Sequence, residues 1–236
     1  MRAMLLAAGR GTRLEPLTEE RPKPLLEAGG KPLIQHQIEN LAKAGIDTIV
    51  INLHHLGEQI EQHLGDGAEL GASIIYSREK ELLETGGAIV NALEHLGESP
   101  FLVLSADVWM PYPLSRLPRE LDESCDCHLV LVPNPSFHPQ GDFQLDAALP
   151  DDATTVPLVP GDAASYTFGN LSVVHPRLFQ GRRPEPFPFA ELFLTAFEHG
   201  RARGELWSGA WFNVGTVDEL RALRTHLDNP RRRGFE

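Results

Sequence analysis

The chain has 236 residues, enough for one large α/β domain or a domain with a small appendage. A net charge of −12 and an isoelectric point near 5.3 argue against a nucleic-acid surface. Two cysteines, Cys125 and Cys127, are too few for a disulfide framework or a zinc site, so a reducing cytoplasm is the simplest compartment.

In chain order, residues 3–8 form an apolar run that reads as a first buried strand. The run is shorter than a signal peptide's hydrophobic region, and no later stretch approaches a membrane span. Residues 31–44 are predicted as a helix, with Pro32 in its first turn and Gly45 past its end. A strand over 47–52, a short helix over 56–64 and a strand over 73–77 follow. Thr85 is expected to cap a helix reaching residue 96. Residues 101–105 are continuously apolar, the pattern of a strand buried on both faces, and Asp107 stands just beyond. From 111 to 160 the texture changes to prolines and acidic residues, with strand candidates at 127–132 and 143–145 and a surface excursion over 151–162. A strand over 166–174, an amphipathic helix over 189–199 and a short strand over 211–214 come next. Thr216-x-x-Glu219 is a capping box opening a last helix to residue 227. The alternation of strands and helices predicts a doubly wound, mostly parallel, Rossmann-like α/β sheet. Residues 1–228 are expected to form a single domain, 1–110 being its nucleotide-binding half, with 229–236 a solvated tail.

The first strand runs into Gly9-Arg10-Gly11-Thr12-Arg13-Leu14-Glu15-Pro16-Leu17-Thr18, followed by Arg21-Pro22-Lys23-Pro24-Leu25. Two glycines let the backbone turn tightly, and the bare amides of such a loop can close on phosphate oxygens. Arg13 and Lys23 add the positive charge that amides alone do not supply. A dinucleotide fingerprint would need a third glycine where Leu14 stands, and the spacing of a P-loop does not occur. No G-x-S-x-G hydrolase elbow is present, and His54-His55 lacks a metal-binding spacing. Asp107, at the carboxyl end of a buried strand, sits where open α/β sheets place ligands, and a carboxylate beside a triphosphate suits Mg²⁺. Glu79-Lys80-Glu81 reads as a solvated loop.

Together, the Gly9–Thr18 pattern with its following Pro-Lys-Pro-Leu, Leu83-Glu84-Thr85-Gly86-Gly87 and Asp107-Val108-Trp109 resemble the signature of the sugar-1-phosphate nucleotidylyltransferases. That resemblance implies transfer of a nucleotidyl group from a nucleoside triphosphate to a sugar 1-phosphate, with release of pyrophosphate. The short, uridylyl-transferring members of cell-wall recycling, which use UTP, are the most similar; guanylyl or thymidylyl transfer is the alternative. A non-catalytic nucleotide-sugar sensor is the reading from a different class. The resemblance assigns Gly9, Gly11, Thr12, Arg13 and Lys23 to the phosphates, Arg13 and Lys23 being the catalytic cations. Thr85 and Gly86 fall to the base, with the missing side chain of Gly86 permitting close approach. Residues 111–228 are expected to bind the sugar phosphate, through Gly141, Asp142 and Asn170. Asp107 is implied as a magnesium ligand. The family's second metal aspartate corresponds to Asn213 in Trp211-Phe212-Asn213-Val214-Gly215-Thr216, a neutral oxygen that predicts weaker metal affinity. A monomer or small homo-oligomer, free of membrane and nucleic acid, is expected.

Overall fold

The computed structural model describes residues 1–145, 156–159 and 166–229. Its first half comprises β1 (Ala3–Leu6), α1 (Leu17–Glu20), β2 (Glu27–Ala28), β3 (Lys31–Pro32), α2 (Leu33–Lys43), β4 (Thr48–Leu53), α3 (Gly57–Leu64), β5 (Ser73–Arg78), α4 (Glu84–Leu96), β6 (Phe101–Ser105) and β7 (Val108–Trp109). The second half adds β8 (Cys127–Pro133), β9 (Gln144–Leu145), β10 (Val156–Val159), β11 (Tyr166–Val174), α5 (Ala190–Glu198), β12 (Ala202–Leu206), β13 (Phe212–Asn213) and α6 (Val217–Leu227).

The main sheet has the order β5-β4-β1-β6-β11-β8-β12-β10-β9. Strands β5, β4, β1 and β6 are parallel, while β11 runs antiparallel to both β6 and β8. β12 returns to the parallel direction beside β8, so the sheet is mixed but mostly parallel. Along β1, Leu5 faces one core with Ile38 and Leu41 of α2 and Ile60 of α3. Met4 faces the opposite core with Ile89 and Ala92 of α4 and Phe193 of α5. This period-two alternation is what lets one apolar strand anchor helices on both faces. The doubly wound α/β expectation is therefore met.

Several predicted boundaries shift for local reasons. Lys31 and Pro32 pair with Glu27 and Ala28 as a small hairpin, so the helix begins at Leu33 with Pro32 extended before it. Thr85 does not cap α4: the helix starts one residue earlier, and no side chain caps it. β12, in the sequence Ala-Arg-Gly-Glu-Leu, lacks an apolar pattern and forms through its parallel pairing with β8. Within the expected excursion over 151–162, residues 156–159 form β10; the remainder of that stretch and Arg231 to Arg233 of the tail lie outside the described residues.

The capping box forms with one change. Thr216 Oγ1 accepts the Glu219 N–H at 3.3 Å, but the Glu219 carboxylate takes the Gly215 N–H at 2.8 Å. This double tie fixes α6 directly behind β13. Thr216→Ala is expected to lower unfolding free energy by about 1 kcal/mol in urea denaturation; an unchanged midpoint would show that the cap does not hold the helix.

Candidate active site

The carboxyl ends of the parallel strands β4, β1 and β6 share one edge of the sheet. A cleft of about 360 Å³ opens there, lined by Leu6, Ala7, Ala8, Gly9, Lys23, Pro24, Asn52, Leu82, Glu84, Thr85, Ser105, Ala106 and Asp107. Four of the expected site residues, Gly9, Lys23, Thr85 and Asp107, thus meet around a single space.

The loop after β1 is shaped for close approach. Gly9 is exposed, and a Cβ there would have no atom within 4 Å. Gly11 adopts a left-handed backbone (φ +67°), and its Cα side rests against the Lys23 stem, 3.2 Å from a built Cβ. Thr18 Oγ1 donates to the Gly11 carbonyl at 2.9 Å and fixes the turn. Thr12 and Arg13 lie exposed on a single turn of 3₁₀ helix whose Leu14 is buried. Neither Gly11, Thr12 nor Arg13 lines the cleft itself; they flank it.

Lys23 Nζ forms an ion pair with Asp107, both side chains being less than one-fifth exposed. The Asp107 carbonyl accepts the Val214 N–H at 2.9 Å, and Asn213 lies opposite Val108 in the β13–β7 pair. Arg13 reaches the same strand end, its guanidinium 2.9 Å from a Cβ built on Gly215. The carboxylates lining the cleft are Asp107 and Glu84, and Asn213 is not among the lining residues. Among the described residues no group of three or more His, Cys, Asp or Glu side chains gathers to hold a metal. Such a set fits magnesium, which keeps waters and takes phosphate oxygens, and does not fit an ion caged by protein alone.

At the expected base edge, Glu84 holds a left-handed backbone (φ +56°), a conformation that costs a non-glycine residue about 1–2 kcal/mol. Thr85 Oγ1 accepts the Phe189 N–H at 2.8 Å while Thr85 still lines the cleft. Gly86 corrects the sequence reading. Its N–H donates to the Phe187 carbonyl at 2.9 Å, and an added Cβ would lie 2.2 Å from the Phe187 ring. Its smallness makes room for that ring rather than for a ligand.

The solvated-loop expectation for Glu79 is also overturned: Glu79 is buried at 7% exposure. Its carboxylate accepts from Asn52 Nδ2 at 2.7 Å and from the Leu83 N–H at 3.0 Å. Asn52 in turn accepts the Ala7 N–H at 2.8 Å. The available signal was a polar residue ending an apolar parallel strand, the same signal that marked Asp107.

Gly141, Asp142 and Asn170 lie away from the cleft lining. Asp142 has one oxygen on the Phe168 N–H at 2.8 Å and the other 3.0 Å from His138 Nε2. Gly141 (φ +64°) would set a Cβ 2.5 Å from Asn134 Oδ1. Asn170 (φ +59°) occupies the irregularity in β11 between Phe168 and Ser172, and shares a small pocket with Ser105. Deeper in this half, Tyr112 donates to the buried Glu205 at 2.6 Å; burial and that carboxylate hold its phenol well above the ordinary range. His54 and His55 bind the backbone carbonyls of Glu79 and Thr18, which are structural roles.

With this geometry in place, the chain can be set beside known proteins. Residues 2–140 match the family described as nucleotidyl transferase. The chain is 40% identical to the N-acetylmuramate alpha-1-phosphate uridylyltransferase of Neisseria meningitidis serogroup B, over 94% of this chain and 96% of that protein. It is 34% identical to the protein of the same name from Caulobacter vibrioides, over 95% and 96% respectively. A Bacillus anthracis protein assigned as a glucose-1-phosphate thymidylyltransferase shares the fold with a TM-score of 0.78 at 19% identity, covering 96% of this chain and 95% of its own.

The close seating of α4 yields a direct test. A Cβ on Gly87 would lie 2.1 Å from the Glu185 carbonyl oxygen, a backbone atom that cannot swing aside. Gly87→Ala is expected to lower stability by about 1–3 kcal/mol in chemical denaturation; a neutral result would contradict the packing described for this edge.

Proposed function

The chain belongs to the nucleotidyl transferase family, and on that premise we propose that it transfers a uridylyl group from UTP to N-acetylmuramate 1-phosphate. The observation that carries this reading is the cleft in which Gly9, Lys23 and Asp107 meet, in a chain matching the two uridylyltransferases along nearly their whole lengths.

The sugar phosphate is already an ionised nucleophile, so its oxygen attacks the α-phosphorus in line without a general base. Pyrophosphate leaves with the electron pair of the broken α–β bridge bond. Such transfers depend on positioning and charge stabilisation more than on covalent help. The amides of the Gly9–Gly11 turn and the Lys23 ammonium hold the phosphates. Arg13, from its exposed flank, adds a second cation whose fork can take two oxygens. Lys23 turns from Asp107 toward the phosphates in this reading, which frees a carboxylate as negative charge arrives. Asp107, with Asn213 beside it, would hold magnesium, which supplies charge neutralisation to the phosphates when bound. Thr85 borders the space for the base, and the Gly141–Asp142 turn with Asn170 forms the acceptor side. The product is a nucleotide-activated wall sugar, consistent with a recycling role in the cytoplasm, where nucleoside triphosphates reside. No helix among the described residues is long and apolar enough to cross a membrane.

Four nucleoside triphosphates crossed with several sugar 1-phosphates, read by pyrophosphate release, test the reading. UTP with N-acetylmuramate 1-phosphate is expected to give the highest kcat/KM; preference for another pair, or binding without turnover, would overturn it. In the same assay Asp107→Ala is expected to cost about a hundredfold or more. Asn213→Asp is expected to lower the Mg²⁺ concentration needed for half-maximal rate, and an unchanged requirement would remove Asn213 from the metal site.

A further inference from the structure

Two segments that meet in the cleft come from distant parts of the chain: the loop opened by Ala7 and the base edge opened by Leu83. Between them stand Asn52 and Glu79, at 3% and 7% exposure. Asn52 Oδ1 takes the first amide of the phosphate loop, Asn52 Nδ2 donates to Glu79 Oε1, and Glu79 Oε2 takes the Leu83 N–H. The chain of bonds is continuous, and each link is 2.7–3.0 Å. Glu79 has no ion-pair partner among the described residues. Its buried charge is carried by hydrogen bonds at the N-terminus of α4, where the helix dipole favours an anion. An isolated core brace would not need so costly a group, nor a wall position in the ligand space, which Asn52 occupies.

We propose that Asn52 and Glu79 are positioning residues that set the spacing between the phosphate loop and the base edge, and so govern the affinity for the nucleotide. The proposal rests on the nucleotide-transfer reading above. The direction of each bond makes it specific. Asn52 must offer an acceptor to Ala7 and a donor to Glu79, which its amide does with two separate atoms. Asn52→Asp sets carboxylate against carboxylate. Glu79→Gln leaves either Asn52 Nδ2 or the Leu83 N–H facing another donor. The double variant reverses the middle bond. The carboxylate introduced at position 52 would accept from Ala7 and from the amide introduced at position 79, whose oxygen would still accept from Leu83.

UTP binding by titration calorimetry, together with separate KM values for UTP and the sugar phosphate, provides the test. Each single variant is expected to bind UTP about tenfold more weakly, as the loss of one buried hydrogen bond implies. The acceptor KM is expected to stay within about twofold, and the double variant to return UTP affinity to within about threefold of wild type. Glu79→Gln, nearly isosteric and uncharged, keeps the test open if Asn52→Asp fails to fold. Singles that bind UTP as wild type does, equal losses for both substrates, or a double variant that compounds the singles would overturn the proposal. A wild-type protein that takes up no UTP would instead fail the functional reading, so the two failures are distinct.

Discussion

The contact between Lys23 and Asp107 joins everything else in the site. It ties the Pro-Lys-Pro-Leu segment after the glycine loop to the end of β6, and β6 is the strand where the parallel half of the sheet meets the antiparallel half. An exposed ion pair contributes at most about 1 kcal/mol, and burial such as this pair's sets a desolvation penalty against the added Coulombic gain. That balance suits a site that must exchange partners. Phosphate oxygens can compete for the ammonium, and the carboxylate so released stands ready for a cation. In a protein with a net charge of −12, the pair also keeps a bare carboxylate from repelling the incoming polyanion.

Much of this was legible in the sequence because it rests on local grammar. The glycine loop, the apolar run Phe101–Ser105 and the Thr216 cap follow from backbone rules that operate over a few residues, and the structure places all three as expected. The misreadings share a different cause. Gly86 is small because Phe187, far later in the chain, presses on it. Glu79 is buried because Asn52, on the neighbouring strand, turns its amide toward it. β12 is a strand because β8 offers it an edge, despite two arginines and a glycine in or beside its sequence. Each depends on contacts that periodicity and propensity do not encode.

The cleft and the region proposed for the acceptor are built by contrasting means. The nucleotide side is a set of strand ends whose positions follow from parallel pairing. The region proposed for the acceptor, outside the cleft lining, depends on irregular backbone: left-handed turns at Gly141 and Asn170 and a register break in β11. Asp142 has both oxygens engaged within its own neighbourhood, which makes it a support of that turn first. Asn170, at that irregularity, shares a small pocket with Ser105, the last residue of β6.

The most direct measurement of this account is the electron density of the protein with UTP and magnesium bound. The triphosphate is expected along the Gly9–Gly11 turn, with Lys23 moved from Asp107 onto a phosphate oxygen and Asp107 turned to the cation. A nucleotide lodged elsewhere, or one bound in the cleft while Lys23 and Asp107 remain joined, would contradict it.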